Sequence, residues 1–299
     1  MRPLALRPLG LTLLVLGAAC KADNPSEMPS AVPATAPRTA PTTPTVDSPA
    51  DLSAPESAPA LARSLTRVER ALRTDGRSPE EIRRLGWEQQ LAYRELAARP
   101  EWLAEVLGRT PTDVDAILTA NHQAGSSLSG LADPQPALPD WRIVAPLPPE
   151  VLVGYYRQAE AASGIPWQYL AAIHFVETRV GRIQGPSTAG AQGPMQFIPS
   201  TWEAYGEGDI HDNRDAILAA GRYLDARGGP EDMGRALFAY NPDDRYVAAV
   251  QAYAGLIQAD ERAYAGYYHW QVYYATVDGV ALLPEGYPDR AAEVTARSG

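Results

Sequence analysis

The stretch from Gly164 to Glu177 constrains this chain more than any other segment, because it predicts one short helix that is apolar almost all the way round. Pro166 suits the first turn of a helix, and Gly181 suits the position just past its end. A helix of this kind must be buried, so the chain has to build a core around it. Four residues share one face at i, i+3, i+4 and i+7 spacing: Leu170, Ile173, His174 and Glu177.

Glu177 therefore points inward, where a carboxylate is costly. An unpaired buried carboxylate costs several kcal/mol, and burial raises its pKa so that it holds a proton near neutral pH. A carboxyl group with that property suits general acid catalysis. A glutamate at a helix end is more commonly a solvated surface residue, so the segments that follow decide between the two interpretations.

A loop of small residues follows, over 185–194, which lets another molecule approach the backbone closely. The Ser200 and Glu203 spacing predicts a capping box that opens a new helix, with Gly206 at its end. Helix, small-residue loop and helix form the local frame around Glu177.

Three motifs in this frame carry a resemblance: Glu177-Thr178-Arg179, the run from Ser187 to Phe197, and Ala239-Tyr240-Asn241. Together they resemble the soluble-type lytic transglycosylases of the lysozyme superfamily, which carry Glu-Ser, then Gly-Ala-x-Gly-Leu-Met-Gln, then Ala-Tyr-Asn. The resemblance covers about residues 141–260 and looks most like the branch common in exported actinobacterial proteins.

The resemblance implies a lysozyme-like domain that cleaves peptidoglycan glycan strands, with Glu177 as the sole catalytic acid and base. Thr178 and Pro194 depart from the family pattern, which has Ser and Leu there. The resemblance also implies roles for five other residues: Ser187, Met195 and Gln196 would line the sugar groove, Tyr240 would orient the glutamate, and Asn241 would shape the groove.

Several of these residues also have a purely structural interpretation. Met195 is by itself more often a core residue, and Tyr240 closes an apolar stripe that predicts a packed core tyrosine. His174 is predicted to be a satisfied core histidine. Arg179 and Arg182 are candidates to hold carboxylates of the substrate, although arginines near a helix end are commonly solvated.

No second carboxylate is evident between Thr178 and Trp202, so ring closure by the muramic 6-hydroxyl is expected to outrun hydrolysis and leave 1,6-anhydromuramic ends. Two alternatives stay open. One is a muramidase that uses water, and the other is a non-enzymatic wall-binding module with a vestigial groove.

Residues 1–20 predict export, because Arg2 and Arg7 precede an apolar run that ends in Ala18-Ala19-Cys20. The chain's single cysteine, placed there, resembles the lipidated first residue of a bacterial lipoprotein, although Gly17 departs from the usual lipobox. Ordinary signal cleavage after Ala19 is the alternative. We expect an exported protein at the outer face of the membrane or in the wall, with a lipid anchor on Cys20.

The rest of the chain divides into three parts around residues 141–260. Residues 21–60 are rich in Pro, Ala, Thr and Ser, which predicts a disordered spacer. Residues 61–140 are predicted to form a helical subdomain, with a capping box at Ser78 and Glu81. Residues 261–299 form a Tyr-rich extension with a predicted hairpin around Asp278-Gly279, which either extends the groove or covers the core. The predicted fold class is therefore mainly α, with a small C-terminal β-hairpin.

The net charge of −10 argues against nucleic acid as a partner. The sequence has no His/Cys cluster with zinc spacing and no phosphate-binding loop, so we expect neither a metal nor a cofactor. The expected partners are peptidoglycan strands and, through the anchor, the membrane. We expect the chain to act as a monomer.

Overall fold

A computed structural model describes residues 48–131 and 133–296 of the chain. The predicted signal segment, most of the predicted spacer and Cys20 lie outside these ranges. The mainly helical fold is confirmed. The helices are α1 Ala58–Leu72, α2 Pro79–Ala98, α3 Leu103–Leu107, α4 Thr112–Ser129, α5 Pro149–Ser163, α6 Trp167–Thr178, α7 Pro199–Tyr205, α8 Asn213–Ala226, α9 Met233–Tyr240, α10 Asp244–Ala259 and α11 Ala263–Tyr268.

Helix α6 lies at the centre of the core, as its apolar sequence predicts. Phe175 is 1% exposed and packs edge-on against Tyr253 of α10, with the ring centroids 4.9 Å apart. Trp270, just after α11, contacts the same ring at 5.4 Å. Because such aromatic pairs bury large areas, they fix α6 tightly between the helices around it.

One continuous apolar core joins the N-terminal helices to the helices around α6. It includes Leu61 of α1, Leu118 of α4 and Val250 of α10, all fully buried. Helices α4 and α10 pack against each other along their length, as do α5 and α8. The predicted helical subdomain therefore shares its core with the segment that carries Glu177.

The N-terminal helical segment begins earlier than the sequence predicts. Helix α1 begins at Ala58, inside the stretch predicted to be spacer, because Ser57 accepts a hydrogen bond from the backbone N–H of Ala60 and caps it. The capping box of Ser78 and Glu81 at the start of α2 is confirmed.

The start of α7 was predicted wrongly. Helix α7 begins at Pro199, after Ile198, and no side chain caps it, so Ser200 and Glu203 do not form a capping box. Pro199 pre-sets the helical φ angle and opens the helix without a polar cap. Gly206 follows its end, as predicted.

The predicted C-terminal hairpin is present and carries a third strand. Strands β3 (Val272–Thr276) and β4 (Gly279–Leu283) pair antiparallel around Val277 and Asp278, and β5 (Glu293–Ala296) pairs with β4. The turn lies one residue earlier than predicted. A second, two-stranded sheet pairs β1 (Arg142–Ile143) with β2 (Ile183–Gln184).

No helix within the described ranges is both long enough and apolar enough to cross a membrane.

Candidate active site

Glu177 lies in the last turn of α6, on the floor of a cleft of about 350 Å³. The Tyr246 hydroxyl donates a hydrogen bond to Glu177 Oε1 at 2.7 Å. Burial raises the pKa of Glu177 from 4.5 to about 7, and this hydrogen bond opposes the rise because it stabilises the ionised form. The carboxyl group can therefore hold a proton, or accept one, near neutral pH.

The chain leaves α6 through an unusual backbone. Arg179 and Val180 adopt left-handed φ angles of 53° and 57°, and Gly181 follows at 84°. A β-branched residue in this region is a genuine outlier, and such strain is concentrated at functional sites. The Thr178 hydroxyl stabilises the turn, because it donates to the Pro194 carbonyl at 2.7 Å and accepts from the Gly181 N–H at 3.0 Å.

The loop over 185–197 is closed by its own hydrogen bonds. The Ser187 hydroxyl accepts from the Ala191 N–H at 3.0 Å, and the backbones of Gln192 and Phe197 pair at 2.9 Å in both directions. Gln196 has a left-handed φ of 50°, and its Nε2 donates to the Gly193 carbonyl at 2.9 Å. These bonds fix the side of the cleft that faces Glu177.

Four of the six residues predicted for the glycan site line this cleft. Asn241 is 6% exposed there, and its Oδ1 has no hydrogen-bond partner in the described part of the chain. The cleft thus contains an acceptor that a ligand N–H or O–H can reach. The four residues are Glu177, Ser187, Gln196 and Asn241.

Met195 does not line the cleft, as it was predicted to do, and Tyr240 does not orient Glu177 through a hydrogen bond, so both predictions were wrong. The Met195 side chain is fully buried in the core. The Tyr240 hydroxyl donates to the Met195 carbonyl at 2.6 Å and not to Glu177. Tyr240 therefore anchors the small-residue loop to α9, and the orienting bond to the carboxylate comes from Tyr246.

Tyr246 was missed because the sequence motif ends at Asn241, and Tyr246 lies five residues further on. A signal was available in the stripe of α10, since Tyr246, Val250 and Tyr253 share the buried face at i, i+4 and i+7. The ring of Tyr246 lies parallel to that of Tyr240, with the centroids 6.5 Å apart.

His174 is buried in the core, as the sequence predicts, but it is not fully satisfied, because its Nε2 has no hydrogen-bond partner among the described residues. Its Nδ1 lies 2.8 Å from the Tyr156 hydroxyl, and burial lowers its pKa to about 3. The imidazole therefore stays neutral and does not serve as a second acid.

Arg179 lines the cleft, with its guanidinium over the Phe175 ring and a hydrogen bond from its Nη1 to the Phe175 carbonyl at 2.7 Å. Arg182 points away from the cleft, into a second pocket.

The walls of the cleft come from segments far from Glu177 in the sequence. The end of α4 and the chain after it supply Leu128, Asp133 and Gln135, and β3 supplies Tyr273 and Tyr274. The hairpin thus contributes tyrosines to the cleft, while Ala281 and Leu283 of β4 are buried in a small apolar cluster.

Trp141 forms an aromatic wall together with β3. Its ring meets Tyr274 edge-on at 5.4 Å, and its Nε1 donates to the Pro186 carbonyl at 3.4 Å. Gly185 is required for this position, because a Cβ there would lie 2.4 Å from Trp141 Cδ1. The neighbouring Tyr273 is supported from behind by the Arg94 guanidinium, 3.3 Å from its ring centroid.

Helices packed around a buried glutamate on the floor of a cleft define a lysozyme-like domain, and this chain carries such a domain, similar to those of the lytic transglycosylases. Residues 154–260 match the model of the transglycosylase SLT domain. Ten of the nineteen residues that line the cleft lie outside this match.

Among curated proteins, the chain is similar to membrane-bound lytic murein transglycosylase F of Thiobacillus denitrificans. The two are 34% identical over 70 residues, which cover 23% of this chain and 15% of that protein. The match thus spans less than a sixth of the relative's length. A comparison with solved structures found no match.

Proposed function

We propose that this protein is a peptidoglycan lytic transglycosylase in which Glu177 acts as both acid and base. The observation that carries the proposal is a carboxyl group with a pKa of about 7, hydrogen-bonded by Tyr246 on the floor of a cleft. The SLT-domain match supports it. The expected substrate is the bond between N-acetylmuramic acid and N-acetylglucosamine.

In the first step, protonated Glu177 gives its proton to the bridging oxygen while the C1–O bond breaks. Positive charge develops at C1 and the ring oxygen, as in other glycosidases with an oxocarbenium-like transition state. The N-acetyl group of the muramic acid is placed to stabilise C1. The hydrogen bond from Tyr246 then stabilises the carboxylate that Glu177 has become.

In the second step, the muramic 6-hydroxyl attacks C1 and the Glu177 carboxylate takes its proton. The enzyme returns to its starting state, and no water is consumed. A tethered hydroxyl has a high effective concentration, so ring closure is favoured over attack by water. The released fragments would carry 1,6-anhydromuramic ends.

The glycan would be held by the groups around the carboxyl. Gln196, Ser187 and Asn241 offer polar contacts, and the unpartnered Asn241 Oδ1 is an acceptor for a sugar N–H or O–H. Trp141 and Tyr273 offer aromatic faces along the walls. Aromatic faces beside a few polar groups are typical of ligand clefts.

One observation favours hydrolysis as the second candidate. Asp133, which precedes the carboxylate-free segment from Thr178 to Trp202, is exposed and lines the same cleft. A second carboxylate that positions water would make the protein a muramidase. The chemistry of the released ends separates the two candidates.

Digestion of purified peptidoglycan tests the activity itself. We expect the wild-type chain to release soluble fragments and Glu177→Gln to release almost none, since Gln keeps the shape of the side chain and removes its proton. The matched control is Glu203→Gln on α7, a glutamate that does not line the cleft. Equal release by both variants would contradict the proposal.

The proposed site of action is outside the cytoplasmic membrane, with Cys20 lipidated. The support is the export-like segment before Cys20 in the sequence. We expect the wild type in the membrane fraction and Cys20→Ala in the soluble or secreted fraction. A wild-type chain that fractionates like Cys20→Ala would contradict lipidation.

A further inference from the structure

A second pocket, of about 340 Å³, lies between α2, the end of α11 and the chain after β4. Its lining shares no residue with the cleft of Glu177. Three arginines contribute to it, Arg83, Arg182 and Arg290, against one carboxylate, Glu285. Arg83 pairs with Glu80 at 2.6 Å and Arg290 contacts Glu293 at 4.0 Å, so Arg182 is the arginine of this lining that has no ion pair among the described residues.

Arg182 is the most unusual of these arginines because it is buried without forming an ion pair. It is 6% exposed, and its Nη2 donates to the Tyr268 carbonyl at 3.1 Å. Its Nε has no hydrogen-bond partner among the described residues, and Arg182 forms no ion pair with any of them. A buried guanidinium without an anion is costly, so the fold must offset a penalty that a bound anion would relieve.

Two further donors around the pocket also lack partners in the described part of the chain. They are the Nε of Arg83 and the indole Nε1 of Trp87, which is 8% exposed. The orphaned atoms of the lining are thus all N–H donors. Buried donors are nearly always satisfied in native proteins, which points to an absent acceptor.

The titration of His269 is consistent with a positive local potential. Burial is the largest cause that lowers its pKa to about 4, and the charges of Arg182 and Arg83 add to it. The imidazole is therefore neutral at physiological pH and does not compete with the arginines for an anion.

We propose that this pocket binds a small oxyanion, a carboxylate or a phosphate group, through Arg182, Arg290 and the Trp87 indole. Guanidinium groups suit both anions because their planar N–H donors match the oxygens in pairs. Glu285, at the pocket edge, limits the net positive charge and favours an anion with few charges.

The anion pocket backs onto the wall of the cleft. Arg182 lines the anion pocket, and the next residue, Ile183, lines the cleft. In the same way, Gln271 lines the anion pocket and Val272 lines the cleft. Neighbouring residues of an extended chain point to opposite faces. The proposal does not depend on the glycan-cleaving function, because it is argued only from the N–H donors of this pocket.

Binding can be tested with the full chain and two probes, sodium phosphate and sodium acetate, at constant ionic strength set with sodium chloride. We expect a saturable rise in Tm, of about 3–6 °C at ten times Kd, with at least one probe. Stronger binding of phosphate would indicate a phosphodiester polymer as the natural source, and stronger binding of acetate a peptide carboxylate.

Variants then locate the binding. Arg182→Gln should weaken it at least tenfold, since a hydrogen bond to a charged group contributes more than a neutral one. Because Arg182 is buried, its substitution also tests the stability of the fold, so Arg290→Gln, at a side chain that is 59% exposed, provides a second variant, for which we expect a smaller loss of affinity. Arg109→Gln, on an exposed ion pair with Glu105 elsewhere, is the matched control and should bind as the wild type does.

Two results would overturn the proposal. One is the absence of any saturable difference in Tm between either probe and sodium chloride at the same ionic strength. The other is equal affinity in Arg290→Gln, Arg182→Gln and Arg109→Gln.

Discussion

The floor and the walls of the cleft are built in different ways. The floor comes from the SLT-domain match, in which the backbone around Glu177 is strained and both Glu177 and Gln196 have defined hydrogen bonds. The walls come from distant segments, joined where Gln135 pairs with β3 through bonds of 3.0 and 2.9 Å to Ala275 and Val277. The difference suggests that the floor performs the chemistry and the walls determine how the glycan is held.

The largest expected effect concerns the floor. Glu177→Gln should lower peptidoglycan turnover by about 10² to 10⁴, the contribution of general acid–base catalysis. The rate of fragment release measures it, with circular dichroism to verify that the variant is folded. A folded Glu177→Gln chain with near wild-type turnover would remove the distinction between floor and walls.

The same substitution should stabilise the fold at alkaline pH. The pKa of Glu177 is about 7 in the folded chain and near 4.5 when unfolded, so burial of its charge costs free energy above pH 7 and nothing below pH 4. Because the carboxyl is partly exposed to the cleft, we expect Glu177→Gln to raise the free energy of unfolding by about 1–3 kcal/mol at pH 8. Urea unfolding at pH 8 and pH 4 measures the difference, which should vanish at pH 4.

Tyr246→Phe should lower turnover by about tenfold, the scale of one hydrogen bond to a charged group. The hydrogen bond lowers the pKa of Glu177, so its removal should move the alkaline limb of the pH–rate profile to higher pH. The profile is the measurement. Tyr240→Phe is the matched control, since its hydroxyl bonds Met195 and not the carboxylate, and a limb that moves equally in both variants would contradict the assignment.

The smallest effect is expected at the walls. Trp141→Ala should raise KM about three- to tenfold and change kcat little, because a stacking surface binds substrate and transition state alike. Steady-state kinetics on soluble glycan fragments separate the two constants. Val277→Ala, at the exposed hairpin tip outside the cleft, is the control. A loss in kcat alone would indicate that Trp141 contributes to the chemical step, as the floor residues are expected to do.

The sequence predicts the floor better than the walls for a physical reason. The position of Glu177 on the buried face of its helix and the small-residue loop are local features, which helical periodicity and turn chemistry reveal directly. The contribution of Tyr246 depends on how α10 packs on α6, and the walls depend on contacts between residues more than a hundred positions apart. Met195 shows the same limit, because a motif residue can serve through its carbonyl while its side chain lies in the core.

The chemistry of the released ends tests the central claim most directly. We expect mass spectrometry of fragments from purified peptidoglycan to find ends lighter by one water than hydrolytic products and resistant to borohydride reduction, with Asp133→Asn giving the same products as the wild type. Fragments dominated by reducible muramic ends, and lost in Asp133→Asn, would contradict ring closure and identify a muramidase in which the wall carboxylate positions water.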